Sequence, residues 1–311
     1  MSMFEATYRP DLDEAWKLDD QMCGNLCRCT GYRPIRAATE EIAGTCPKDD
    51  FQKRATEPSA PKAIDYQAHG QRFVMPDTKE ALFEVLKSEP QAELVHGGTD
   101  LSLRVTKKFE ELPCVVSLAA LSELNTIEAT DEGTYLGAGA PLTDVEAFAK
   151  DKLPALERML RFFGARQIKH RATLGGNLCT ASPIGDLPPV FISLAAEAVI
   201  WGPEGERRIL LEEFFVDYRK TALHSAEILA GVFIPKAEGN IRSIAYKVSK
   251  RQELDISTVS AGRWVRLDDN NTVTQARFCF GGMAATPKRA RAVETAVVGH
   301  AFSVELMEEV A

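Results

Sequence analysis

Residues Phe162 to Pro189 read FFGARQIKHRATLGGNLCTASPIGDLPP, and they decide how the chain is to be understood. The stretch has the texture of a site wall. An aromatic-ended helix gives way to a patch of Arg, Lys and His, then a Gly-Gly-Asn turn, a Ser-Pro turn, and Asp186 at the head of another helix. A shorter counterpart lies upstream at Leu94 to Leu101, LVHGGTDL, where an apolar strand runs into His96-Gly97-Gly98-Thr99-Asp100. Glycine tolerates backbone angles that aim successive N–H groups at one point, so either Gly-Gly can be an anion-binding nest or a plain tight turn. Two such loops, each joined to a strand and a helix, point to one phosphate-bearing ligand.

Working outward, Phe73–Pro76 predicts a short strand, and Asp77 or Thr78 caps a helix through Ser88 with the stripe Leu82, Val85, Leu86. Strands are expected at Val115–Leu118 and Thr134–Ala138, and helices from Thr143 and Pro154. Beyond Pro189, strand-like runs dominate at 198–201, 208–211, 228–234, 241–248, 258–267 and 273–280, before helices near Pro287 and Ser303. Asp186 suits an N-cap, and Lys247 a solvated strand face, followed by a charged loop over Ser249–Asp255. Residues 1–46 read as acidic helix and loop, a cysteine cluster, and a helix over Ile35–Ala43 that Gly44 closes; Cys46–Pro61, poor in apolar residues, reads as a linker.

A formal charge of −8 without a basic stripe argues against nucleic acid. No apolar run approaches the roughly 20 residues of a membrane span, and the N-terminus is not a secretory signal. Seven unevenly spread cysteines suit a reduced cytosolic protein better than a disulfide framework. Gly137-Ala138-Gly139-Ala140-Pro141 fails as a dinucleotide fingerprint at its third glycine, and no P-loop lysine follows either Gly-Gly. Hydrolytic and zinc chemistry lack residues. Cys27 and Cys29 lie too close for a zinc knuckle; an iron–sulfur centre, with Cys23 at most a third ligand, and ordinary free thiols both remain open.

At Gly24 to Ile35, GNLCRCTGYRPI, the sequence resembles the second iron–sulfur domain of the xanthine dehydrogenase family of molybdenum hydroxylases, and residues 63–311 resemble that family's flavin domain. Both parts in one chain look like the small subunit of the family's bacterial members. The resemblance implies an α+β fold: an FAD-binding domain of the vanillyl-alcohol-oxidase type in two α/β lobes (63–237), an incomplete C-terminal α/β lobe (238–311), a linker (47–62), and the end of a helical [2Fe–2S] domain (1–46). Cys27 and Cys29 would be two of four cluster ligands. The family's other Cys pair is missing and its flavin domain runs past Ala311, so the chain is expected to be shortened at both ends with its cluster site incomplete.

For FAD, the resemblance implies a diphosphate loop of Leu94, Val95, His96, Gly97, Gly98, Thr99, Asp100 and Leu101, acting through backbone N–H groups at 97–99. Phe163 lies against the cofactor, and Thr173, Gly175, Gly176 and Asn177 form a second loop. Asp186 is a further contact, Leu229 sits at the adenine end and Lys247 near the flavin ring. The implied activity is electron relay: a molybdenum-cofactor-binding large subunit oxidises hypoxanthine or xanthine, and electrons pass through iron–sulfur centres to FAD and as hydride to NAD⁺. NAD⁺ is expected near Phe215, Tyr218, Arg219 and the loop Arg251–Asp255, with Arg219 or Lys220 on its diphosphate; Leu254 stands where related enzymes carry an acid. A cytoplasmic hetro-oligomer without nucleic-acid or membrane partners follows. The competing readings are the flavin part of a carbon monoxide, aldehyde or N-heterocycle dehydrogenase, and a non-catalytic FAD-binding assembly module.

Overall fold

The computed structural model describes residues 1–26, 29–56, 61–251 and 255–310. The chain divides into two units, Met1–Pro61 with Gly164–Ile168, and Lys62–Phe163 with Lys169–Ala311.

The first unit is helical: α1 (Ser2–Thr7), α2 (Ala15–Met22), α3 (Tyr32–Ile42) and α4 (Asp50–Thr56). Polar ties hold much of it. Gln21, 1% exposed, donates to the Ser2 carbonyl at 2.9 Å, and Arg9 donates to the Gln21 side chain at 3.0 Å. Gly44 takes φ +69° after α3, and its N–H returns to the Ala6 carbonyl at 2.9 Å. Helix α4 corrects the linker expectation. The Asp49 carboxylate accepts the Gln52 N–H at 3.0 Å and the Tyr8 hydroxyl at 2.7 Å, so a cap rather than an apolar stripe starts this helix.

The second unit stacks three sheets. In the first, β1 (Ile64–Ala68), β2 (Gln71–Met75), β4 (Cys114–Ser117) and β3 (Glu93–Val95) lie in that order, β2, β4 and β3 parallel. Helices α5 (Lys79–Ser88) and α6 (Leu101–Lys108) connect them. Thr78 caps α5 by accepting the Ala81 N–H at 3.2 Å, which puts Leu82 and Leu86 on one buried face.

The second sheet is antiparallel, in the order β5 (Ile127–Ala129), β6 (Gly133–Gly137), β11 (Ile228–Pro235), β7 (Glu197–Gly202), β8 (Gly205–Leu210). Helices α7 (Leu142–Ala149), α8 (Pro154–Arg161), α10 (Leu174–Cys179) and α11 (Leu187–Ser193) intervene between β6 and β7, as does the turn α9 (Arg166–Lys169), whose first three residues belong to the first unit. Every residue of α11 is buried: Leu187–Ile192 are apolar, and the Ser193 hydroxyl donates to the Val190 carbonyl at 2.7 Å. The β8 strand stops at Leu210, one residue before the expected end, because Leu211 turns into the core as α12 (Leu211–Phe214). A hairpin of β9 (Phe215–Asp217) and β10 (Lys220–Thr221) follows.

The third sheet is β12 (Asn240–Val248), β13 (Val259–Leu267), β14 (Val273–Gly281) and β15 (Lys288–Arg289). The residues after Pro287 enter β15, so α13 begins only at Arg291 (Arg291–Val297), and α14 (Val304–Glu309) is capped by Ser303. One sheet face, with Val265 and Phe278, packs under α13 and α14. The other, with Ala245, Trp264 and Cys279, joins the main core of Phe191, Phe214, Leu156 and Leu160.

The seam is backbone on backbone. A Cβ at Gly262 would lie 2.4 Å from the Pro189 carbonyl and 2.7 Å from Val190 Cα. The Arg158 and Arg277 side chains stitch across it, donating to the Ala245 carbonyl at 2.9 Å and the Ser193 carbonyl at 2.7 Å. Gly262→Ala should therefore destabilise by about 1–3 kcal/mol through overpacking. Thermal melting checks this, with a drop of roughly 2–4 °C expected per kcal/mol.

Candidate cofactor site

The first loop leaves β3 at Val95, where Leu94 and Val95 pair with Val116 and Ser117. Gly97 presses so closely on the neighbouring segment that a Cβ would lie 1.9 Å from the Arg171 carbonyl oxygen. Gly98 takes φ +75°, and Leu101 begins α6. Among the described residues no backbone or side-chain acceptor takes the N–H groups of Gly97, Gly98, Thr99 or Asp100. Four successive donors without a protein partner, ahead of a helix, form an anion nest.

The second loop is built differently. The Gly175 N–H donates to the Ala138 carbonyl at 2.7 Å, Gly176 to Thr173 Oγ1 at 3.1 Å, and Asn177 to the Thr173 carbonyl at 3.0 Å. Its donors are spent internally, which corrects the expectation that both loops aim N–H groups at one phosphate. The reason is local: Thr173 is the N-cap of α10, and Gly175 lets α10 sit where a Cβ would fall 2.6 Å from Ala138. What this loop leaves over is a side chain, because Asn177 Oδ1 is buried without a partner. His96 Nδ1 shares that condition. Burial and the nearby Arg171 charge hold the imidazole below its ordinary value, so it is neutral at pH 7.

The strip Gly137–Pro141 joins the loops. A Cβ at Gly139 would lie 2.5 Å from His96 Cε1, while Ala138 and Ala140 accept the Gly175 and Leu174 N–H groups. Sequence reasoning discarded this run as a failed dinucleotide motif. The legible signal was its alternation of Gly and Ala, which marks close backbone approach on both sides.

Asp186 and Lys247 come together. Lys247 Nζ lies 2.8 Å from Asp186 Oδ2, with side-chain exposures of 4% and 8%. Both sequence readings of these residues are thereby corrected: Asp186 makes no capping bond, and Lys247 is not on a solvated face. A buried pair meets the charge of both groups, which an isolated carboxylate or ammonium cannot do. Ser257, which the sequence reading missed, donates to Asp186 Oδ1. Phe163 packs at the edge of the main core, and Leu229, 4% exposed, lies within it.

Phe215 is also a core residue, 5.4 Å from Phe214 edge-to-face, and so does not line an NAD⁺ approach. Tyr218 and Arg219 are exposed at the turn between β9 and β10. Arg251 pairs with Asp255 at 2.5 Å, while residues 252–254 lie outside the described residues. Cys27 also lies outside them, and Cys29 is exposed. Among the described residues no three His, Cys, Asp or Glu side chains converge as a metal site. No helix among them is long and apolar enough to cross a membrane.

Four amides without a partner among the described residues, two buried polar side-chain atoms without one and a buried ion pair are features that an anionic ligand could use. The chain belongs to the family of FAD-binding domains in molybdopterin dehydrogenases: that family's model matches residues 66–237, and the model of the CO dehydrogenase flavoprotein C-terminal domain matches 244–311. The xanthine dehydrogenase of Emericella nidulans is 30% identical, over 92% of this chain and 26% of its own length. The xanthine dehydrogenase/oxidase of Rattus norvegicus is 28% identical over all of this chain and 27% of its own. The chain thus spans about a quarter of these relatives. Two solved structures share the fold. Carbon monoxide dehydrogenase from Hydrogenophaga pseudoflava has a TM-score of 0.72 at 23% identity, covering 76% of this chain and 83% of that one. Quinoline 2-oxidoreductase from Pseudomonas putida 86 has 0.70 at 22%, covering 79% and 85%.

The lowered His96 value fixes a pH dependence. Between the unfolded value of 6.5 and the lower folded one, the unfolded chain binds more protons, so stability rises with pH. The contribution is complete above 6.5 and is lost as pH falls through the folded value. Replacing His96 with Gln should flatten melting temperature against pH between about 7 and 5, a range set by the ordinary histidine value. Unchanged acid sensitivity in this variant would refute the assignment.

Proposed function

We propose that the chain binds FAD and relays electrons within a molybdenum hydroxylase of the xanthine dehydrogenase type. The free amides of Gly97 to Asp100 carry this reading. Four successive unpaired donors ahead of α6 suit the acceptor oxygens of a diphosphate. Asn177 Oδ1 and His96 Nδ1 are acceptors for hydroxyl or imino protons of the same ligand. Phe163 offers an apolar edge, and the Asp186–Lys247 pair places a fixed cation and anion near the ring. Bound FAD would supply two-electron chemistry, taking electrons from iron–sulfur centres and giving hydride to NAD⁺. The side chains described here bind and orient it, and exclude water on the Asp186 side, where Asp186, Lys247 and Ser257 are all buried.

In this reading a molybdenum-cofactor-binding large subunit oxidises the purine, Cys27 and Cys29 are two of the four ligands of a [2Fe–2S] centre, and Arg219 or Lys220 steadies the NAD⁺ diphosphate. The assembly is a cytoplasmic hetero-oligomer. The xanthine dehydrogenase type is favoured because xanthine dehydrogenases are 28–30% identical over 92–100% of this chain.

An absorption spectrum of the purified chain, with the released cofactor identified by chromatography, tests the binding; NADH should bleach the flavin bands. A protein that neither carries FAD nor takes it up would sink the reading. Asp186→Ala leaves the Lys247 ammonium buried and alone, and should cost roughly 3–5 kcal/mol together with most of the FAD. The double variant D186A/K247M should regain much of that stability but not the flavin. Full flavin content in either variant would remove Asp186 from the site.

A further inference from the structure

The carboxylate of Asp186 has two anchors, and the Lys247 ammonium is only one of them. Lys247 binds Oδ2 at 2.8 Å, while the Ser257 hydroxyl donates to Oδ1. Ser257 is 4% exposed and Asp186 7%, so water does not substitute for either partner. The backbone around Asp186 does not require the serine. Ser260 donates to the Gly185 carbonyl at 3.2 Å, and the Gly282 N–H donates to the Pro183 carbonyl at 2.7 Å, clamping the turn from β13 and from the end of β14. Ser257 is itself held in register, because the next residue, Thr258, donates its N–H to the Val248 carbonyl at 2.8 Å.

A carboxylate turns easily about its last torsion, which is broad and roughly two-fold. One cation on one oxygen leaves that rotation open, and the lysine head follows on four further flexible bonds. A second donor on the other oxygen fixes the plane, and with it the direction from which the ammonium is held. A hydroxyl has one proton to give, and this one is given to Asp186. The bond is charge-assisted and desolvated, the setting in which a single hydrogen bond is strongest.

We infer that Ser257 is a positioning residue: by fixing the Asp186 carboxylate it orients the Asp186–Lys247 pair that faces the cofactor. The effect on FAD rests on the FAD reading above, whereas the effect on the pair does not. Without the hydroxyl, the Asp186 charge is less dispersed and opposes the arrival of electrons on a nearby ring.

The test uses the whole chain with Ser257→Ala and, as the conservative control, Ser257→Thr. Acetic anhydride labelling mapped by mass spectrometry should show Lys247 in S257A reacting about tenfold faster relative to the exposed Lys107, with S257T at the wild-type rate. With FAD bound, S257A should bind the cofactor about tenfold more weakly. Its flavin midpoint should become more negative by about 30 mV, a tenfold change for a two-electron couple. Both should return in S257T. Lys247 labelling in S257A at the wild-type rate, or S257T behaving as S257A, overturns the inference. A midpoint unchanged in the flavin that S257A retains, with only melting temperature and occupancy lowered, overturns it as well, because it leaves a merely structural role. A wild-type chain that takes up no FAD defeats the FAD reading, and the labelling then decides the role of Ser257 by itself.

Discussion

A side chain at position 97 would occupy the space of the Arg171 carbonyl, and the rest of the site depends on that exclusion. Only glycine lets the loop after β3 lie against the segment before α10. The same device recurs where Gly175 meets Ala138 and Gly139 meets His96. Two loops 74 or more residues apart in the chain are thereby welded through backbone, with few side chains to spare. The amides of the first loop stay unpaired among the described residues, whereas those of the second are consumed, Gly175 by Ala138 and Gly176 and Asn177 by the Thr173 cap. Glycine-rich loops that look equivalent in sequence come out as a donor and as a buttress.

Much of the architecture was legible. The long apolar runs became central strands, and Thr78 and Ser303 became caps. The losses have a common physical origin. The Asp49 cap of α4 is a side-chain bond and leaves no apolar period to detect. Asp186 has the sequence of a cap because any acid before Leu-Pro-Pro does, and what redirects it is Lys247, 61 residues away. Phe215 looks like a surface aromatic beside Tyr218, yet the short helix α12 before it carries it into the core. Pairings across sheets are long-range facts, and a window of ten residues does not contain them.

The site also divides its labour by lobe. In the FAD reading the first sheet and α6 supply amides, the strip Gly137–Pro141 and α10 supply support and an orphaned polar atom, and the third sheet supplies the cation. Each contribution is modest alone. The third is the one on which charge balance rests, since neither Asp186 nor Lys247 has another charged partner among the described residues.

That division has a consequence for synthesis. Asp186 is polymerised 61 residues before Lys247 and 71 before Ser257. At the usual pace of roughly 5–20 residues per second, the first two lobes wait several seconds, beside the ribosome, with an acid prepared for burial and no counter-charge. The interior on that side stays wet until the third sheet arrives, so the buried pair closes only after the first two sheets have been made.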